Sequence, residues 1–226
     1  MKIFVINPNT SESMTEHIQE ELDRIKRPDT ELTVVCAEYG PETIESAYDE
    51  ALAVPPTLDL VKRANQGNYD AIILACFSDP GLEAAKEISN IPVIGIGESS
   101  FHMAAMLGGK FSIMTTQKER IFAKKEHVYR KGLEHFLASV RSLNLSVAET
   151  DADPEKTKAR VLEEAKRAAE EDGAEVIILG CAGMAGYAPE IESELHMKVL
   201  DPTAVALKLA EAMVDLRLGN KKGSAS

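Results

Sequence analysis

The chain has 226 residues, 44% of them hydrophobic, and a formal net charge of −12, with its lysines and arginines scattered. It can therefore bury a core, and it lacks the clustered cations that a nucleic-acid partner needs; the acidity is read as serving solubility. No apolar run approaches the roughly 18 residues that span a bilayer, the start Met1 to Pro8, broken at its proline, is expected to be too short for a secretory leader, and three cysteines make no disulfide framework, so a reducing cytoplasm is the expected location.

In chain order, Lys2–Ile6 is an apolar run ending at Asn7-Pro8-Asn9-Thr10, which predicts a buried strand delivering a turn. Asn9 and Glu12 have helix-start spacing, and Met14, Ile18, Leu22 and Ile25 continue at helical intervals. Leu32–Ala37 is the next expected strand. A helical pattern from Thr43 to about Asn65 contains Pro55-Pro56, expected to break or bend it. Ala71–Ala75 is the third strand, and Asp79-Pro80 is expected to cap and open a helix. Val93–Ile96 is the fourth, followed by a helix from about Ser99 to Leu107.

The second half starts with a strand at Lys110–Thr115. Thr116 and Glu119 have capping-box spacing, predicting a helix to about Lys131. Ser142–Val147 reads as a strand, Pro154–Glu171 as a helix, Val176–Leu179 and Lys198–Leu200 as strands, and Pro202–Leu218 as the last helix. Strands alternating with helices predict parallel sheets covered on both faces. Ligands in such sheets sit beyond the carboxyl ends of the strands.

The halves repeat. Asp70-Ala71-Ile72-Ile73-Leu74-Ala75-Cys76-Phe77-Ser78 returns as Glu175-Val176-Ile177-Ile178-Leu179-Gly180-Cys181-Ala182-Gly183, the two cysteines 105 residues apart. Ile91–Gly95 falls on His196–Leu200 at that offset, and Ile3–Thr10 falls on Lys110–Thr116 with a small slip. The expected fold is α/β, with two pseudosymmetric lobes that each hold a mainly parallel sheet flanked by helices. Lobe 1 is expected over residues 1–108, with the C-terminal helix a candidate to complete it; lobe 2 over 109–218; and a flexible tail over 219–226.

Matched thiols at matched strand ends suggest proton transfer between the two faces of one carbon. One base can invert such a centre only if it or the substrate turns over, whereas a pair needs no such motion. A cysteine's ordinary pKa of about 8.5 makes both thiol and thiolate accessible. Backbone amides in the small-residue run Ala182-Gly183-Met184-Ala185-Gly186 are expected to hold developing negative charge, and the Asp79-Pro80 helix start is expected to acidify Cys76. No metal-ligand spacing and no nucleotide loop appears, so no metal and no cofactor is expected. Taken singly, a cysteine ending an apolar strand is most often core; Cys36, with no partner at the offset, is read so. Asp79 is read as a cap, His102 and the Met103/Met106 pair as packing, and Asn9, Thr10 and Thr116 fit helix caps equally well.

Asn7-Pro8-Asn9-Thr10, Ala75-Cys76-Phe77-Ser78-Asp79-Pro80-Gly81-Leu82, Pro92-Val93-Ile94-Gly95-Ile96 and Gly180-Cys181-Ala182-Gly183-Met184 resemble the hydantoin and allantoin racemases of the Asp/Glu racemase superfamily, from the N-terminus to about Leu218. The resemblance implies two lobes with the active site in a cleft between them, no cofactor, and interconversion of D- and L-5-substituted hydantoins by Cys76 and Cys181. It further implies that Asn9, Ser78, Thr115, Thr116, Gly183 and Met184 line the substrate site, and that the chain forms a homo-oligomer, tetramer or hexamer. Amino-acid racemases of the superfamily fit worse, since Cys76-Phe77-Ser78 stands where they carry Cys-Asn-Thr. Allantoin stays open as substrate. An arylmalonate decarboxylase would need one thiol rather than two, a maleate isomerase would use one as nucleophile, and a non-enzymatic binding module would need neither. Phe77, Phe101, Met184 and Tyr187 are candidates to bound the 5-substituent.

Overall fold

A computed structural model describes residues 1–219, the side chain of Asp151 excepted; the expected tail lies, from residue 220, outside the described residues. The described residues form two compact units, Met1–Ile96 together with residues 206–219, and Gly97–Val205.

The first unit runs β1 (Lys2–Asn7), α1 (Glu12–Ile25), β2 (Glu31–Cys36), α2 (Ala47–Gln66), β3 (Ala71–Leu74), α3 (Leu82–Ile88) and β4 (Val93–Gly95). The second runs α4 (Ile96–Leu107), β5 (Phe111–Thr115), α5 (Ile121–Arg130), β6 (Leu137–Ser142), α6 (Val147–Ala152), α7 (Pro154–Asp172), β7 (Val176–Leu179), α8 (Ala188–Leu195) and β8 (Lys198–Leu200), and α9 (Pro202–Asp215) ends the chain's described helices. All pairings are parallel. The strand orders, β2-β1-β3-β4 and β6-β5-β7-β8, are the same arrangement made twice.

Local chemistry explains the elements. β3 and β7 read Ala-Ile-Ile-Leu and Val-Ile-Ile-Leu and are buried at every position, as strands covered on both faces must be. In the first unit Phe4, Ile6, Ile72 and Leu74 pack with Leu60, Val61, Leu82 and Ala85. In the second, the Phe101 and Phe111 rings stack at 6.1 Å. The last helix reaches the first unit through Glu211, whose Oε1 accepts the Arg27 amide and the Thr30 hydroxyl, each at 2.8 Å.

Several expectations are corrected. Ser11, not Asn9, caps α1, its hydroxyl accepting the Met14 amide at 3.3 Å. Pro55 and Pro56 lie inside α2 without ending it; a full capping box at Ser46 and Asp49 and the buried face of Leu60, Val61 and Ala64 hold the helix. Thr116 and Glu119 form no capping box. A short 3-10 turn over Lys118–Arg120 precedes α5 instead. Ser142–Val147 is not a strand: β6 lies earlier, Asn144 turns the chain at φ 53°, and Ser146 caps α6. His102 and Met106 are exposed on α4 rather than packed. Among the described residues no helix is long and apolar enough to cross a membrane.

Candidate active site

In the first unit β3 pairs Leu74 with both Ile6 and Gly95, and the Ala75 amide extends the ladder to Ile6 O at 2.8 Å. Cys76 follows, half-buried, at the carboxyl end of the sheet. Its carbonyl accepts the Asp79 amide at 2.9 Å, closing a tight turn. Within that turn the Ser78 hydroxyl lies 3.4 Å from Cys76 Sγ. Asp79 does not cap α3. It adopts left-handed φ 49° and is buried, and the cap of α3 is Gly81 at φ 74°. A Cβ on Gly95 would sit 2.4 Å from Asp79 Oδ1, so the carboxylate lies where only glycine leaves room. α3 begins six positions past Cys76, which removes the expected helix start beside the thiol.

The end of β1 supplies a buried amide network. Asn7 Nδ2 donates to Asn9 Oδ1 at 2.7 Å and to Thr15 Oγ1 at 2.9 Å. Asn9 Oδ1 also accepts the Ser11 amide at 3.0 Å, while Asn9 Nδ2 meets Met14 Sδ at 3.4 Å. A thioether is a weak acceptor, so the Asn9 amide group keeps donor capacity at the strand end. Cys36 is half-buried, in register with Asn7.

In the second unit β7 pairs Leu179 with Met114. The Gly180 amide donates to Met114 O at 2.8 Å, and a Cβ at Gly180 would stand 2.5 Å from that same oxygen. Glycine is thus required just before Cys181. Cys181 is 8% exposed. It caps a 3-10 turn, Ala182–Met184, and its Sγ accepts the Gly183 amide at 3.4 Å. Cys36, Cys76 and Cys181 are all thiols and none is half of a disulfide.

The amides of the small-residue run have acceptors of their own. Met184 N–H donates to Cys181 O at 3.2 Å and Ala185 N–H to Ala182 O at 3.0 Å, while Gly186 N–H reaches Asp201 Oδ2 at 2.7 Å. Gly183 N–H faces the sulfur itself, so the donor in this run is aimed at Cys181. Gly183 and Met184 are buried in the turn. Thr115 and Thr116, at the end of β5, are buried as well. Their carbonyls accept the Leu143 and Leu145 amides at 2.8 and 3.1 Å, but Thr115 Oγ1 has no hydrogen-bond partner. A buried hydroxyl left so is uncommon and calls for a ligand or a water.

Two residues escaped the sequence reading. Asp201 follows β8 and reaches back to the turn after Cys181. His127 stands edge-on to the Phe101 ring at 4.9 Å. Burial, and then the Lys124 and Lys131 cations, push its pKa down to about 3. The tie of Asp201 to Gly186 and the contact of His127 with Phe101 carry no local sequence signal, because those partners lie on distant elements. Phe101, considered for the substituent pocket, packs on Phe111 and His127. Among the described residues no group of three or more His, Cys, Asp or Glu is placed to hold a metal ion.

The family model described as Asp/Glu/Hydantoin racemase matches residues 3–210. A hydantoin racemase of Pseudomonas sp. (strain NS671) is 40% identical, over 96% of this chain and 87% of its own. A hydantoin racemase of Paenarthrobacter aurescens is 37% identical, over 99% of this chain and 95% of its own. Among solved structures, the allantoin racemase from Klebsiella pneumoniae is similar at TM-score 0.95 and 35% identity, covering 99% of this chain and 91% of that one.

Proposed function

The chain belongs to the Asp/Glu/Hydantoin racemase family, and from that premise we propose that it interconverts the D and L enantiomers of 5-substituted hydantoins, Cys76 and Cys181 acting as the two acid/base groups at C5. The observation that carries this reading is the repeated strand end: two sheets of identical order, each delivering a cysteine just past its third strand in sequence. One thiolate takes the C5 proton, leaving an enolate whose charge rests on the C4 carbonyl oxygen. The other thiol returns a proton to the opposite face. The product leaves with the two sulfurs in exchanged protonation states, and the next turnover of the opposite enantiomer restores them. Both sulfurs must therefore reach one carbon from its two sides.

The surroundings fit those tasks. Ser78 Oγ is within hydrogen-bond distance of Cys76 Sγ, and Gly183 N–H donates to Cys181 Sγ; donors of this kind favour thiolate. The orphaned Thr115 hydroxyl and the Asn9 Nδ2 donor are proposed to hydrogen-bond the ring's carbonyl and N–H groups, with Thr116, Ser78, Gly183 and Met184 completing the lining. No step of this scheme needs a metal or a cofactor. The chain is further proposed to work in a reducing cytoplasm as a homo-oligomer, tetramer or hexamer, which light scattering would measure.

A ureido group at C5 makes the substrate allantoin, and the likeness to an allantoin racemase at TM-score 0.95 favours including it in the substrate class. The deciding experiment incubates an enantiopure 5-substituted hydantoin with the protein and follows optical rotation. Decay to zero at unchanged mass supports racemisation. Carbon dioxide release from an arylmalonate would point to a decarboxylase, and stable rotation across benzyl, isobutyl and ureido substrates to a binding module. Chiral chromatography over that panel ranks the substituents.

A further inference from the structure

We propose that Asp201 is a positioning residue for Cys181, holding the far end of the turn that presents both the thiol and its amide donor. Asp201 is 8% exposed, and both its oxygens are engaged. Oδ2 accepts Gly186 N–H at 2.7 Å. Oδ1 accepts the Thr203 amide at 2.8 Å, the Thr203 hydroxyl at 2.6 Å and the Ala204 amide at 3.3 Å. The second set is the cap of α9; the first fixes a residue of the turn that follows Cys181. One carboxylate thus joins a helix start to a site turn.

The turn needs such an anchor. Its internal bonds are those of a single 3-10 turn, a weak structure alone, and Gly186 at φ 82° is a point where the chain can swivel. Further along, the Tyr187 hydroxyl donates to Thr150 O at 3.2 Å, and Lys158 Nζ stands 5.6 Å from the centre of the Tyr187 ring. Rotation at Gly186 would carry Gly183 N–H off the sulfur. A hydrogen bond to a charged oxygen is about twice as strong as a neutral one, so Asp201 suits the task. It touches neither the sulfur nor the substrate and acts through Gly186 and Gly183. The inference rests on the reading of Cys181 as an acid/base group.

The test uses the full chain as wild type, D201N, T203V and C181S. Asn caps a helix about as well as Asp, so its one acceptor oxygen is expected to stay on Thr203 and Ala204, leaving Gly186 N–H facing an amide NH2 instead of an acceptor. T203V removes one bond from the cap and leaves Gly186 alone. Alkylation by iodoacetamide is followed against pH at Cys181 and Cys76 separately, by peptide mass spectrometry, beside kcat and KM for racemisation. In D201N the pH midpoint for Cys181 is expected to rise by about one unit, with Cys76 unmoved. The same variant should lose up to about a hundredfold in kcat with little change in KM, as a small misplacement of a reacting group does. T203V should lower Tm and leave the Cys181 midpoint and kcat at wild-type values. Should D201N fail to fold, Asp201→Ser, whose hydroxyl still caps α9 but is too short for Gly186, is expected to give the same shift. An unmoved Cys181 midpoint in the folded variant, or an equal shift in T203V, overturns the proposal. Wild-type racemisation by C181S overturns the acid/base reading instead, so the two failures are distinguishable.

Discussion

A hydroxyl and a backbone amide are unlike companions for a sulfur. The Gly183 amide can only donate, so its contact with Cys181 Sγ favours thiolate; the Ser78 hydroxyl can donate to a thiolate or accept from a thiol, so it serves Cys76 in either state. Removing the hydroxyl tests this one thiol at a time. S78A is expected to slow iodoacetamide alkylation of Cys76 near neutral pH and leave Cys181 unaffected, read by peptide mass spectrometry. Replacing either cysteine by serine removes one of two proton-transfer groups. C76S and C181S should each lose racemisation by about 10²–10⁴-fold with an unchanged circular dichroism spectrum, while a single variant can still exchange C5 hydrogen for solvent deuterium from one enantiomer. Normal racemisation by both single variants would defeat the two-base scheme.

The strand ends set which substitutions each element tolerates. β5 and β7 approach so closely that a Cβ on Gly180 would stand 2.5 Å from Met114 O. G180A must therefore open that pairing, at a cost of about 1–3 kcal/mol, seen as a fall in Tm of at least about 2 °C. Because the opened pair adjoins Cys181, racemisation should fall beyond what the lost stability explains. The same closeness shows what a sequence reveals about an element and what it hides. β3 and β7 are legible because a strand covered on both faces must be apolar throughout, and their repetition made the cysteine pair legible too. Ser142–Val147 misled for an equally physical reason. Leu143, Leu145 and Val147 are indeed all buried, giving the alternation of a strand. Leu143 and Leu145 even bond to Thr115 O and Thr116 O. The left-handed kink at Asn144 makes the segment a loop all the same. Asp201 and His127 were hidden because a hydrogen bond to Gly186 or a ring contact with Phe101 depends on chain crossings that no local pattern records.

At the scale of the whole molecule, the two units should respond to acid through different groups. In the unit Gly97–Val205, His127 lies against Phe101, with Lys124, Lys131 and Arg130 opposing its charge and Glu98 favouring it. Its pKa is held at about 3, against an ordinary 6.5. The unfolded chain therefore takes up a proton there that the folded chain refuses. The stability involved is complete above pH 6.5 and is lost as pH falls toward 3. In the other unit, Glu211 is a buried residue of α9. Its desolvation is outweighed by the Arg27 amide, Lys208 and the Thr30 hydroxyl, and its pKa is lowered from 4.5. Its contribution is complete above pH 4.5 and lost only below it. Acidification from pH 7 to 5 should thus weaken the unit that holds Cys181 before the one that holds Cys76. Amide protection factors, corrected for the intrinsic pH dependence of exchange, are expected to fall first in β5 and β7 across that range, with β1 and β3 still protected. H127F, which keeps an aromatic ring beside Phe101 and removes the titrating group, should flatten the dependence of Tm on pH over the same interval. If H127F and wild type lose Tm in parallel, the acid response lies elsewhere than at His127.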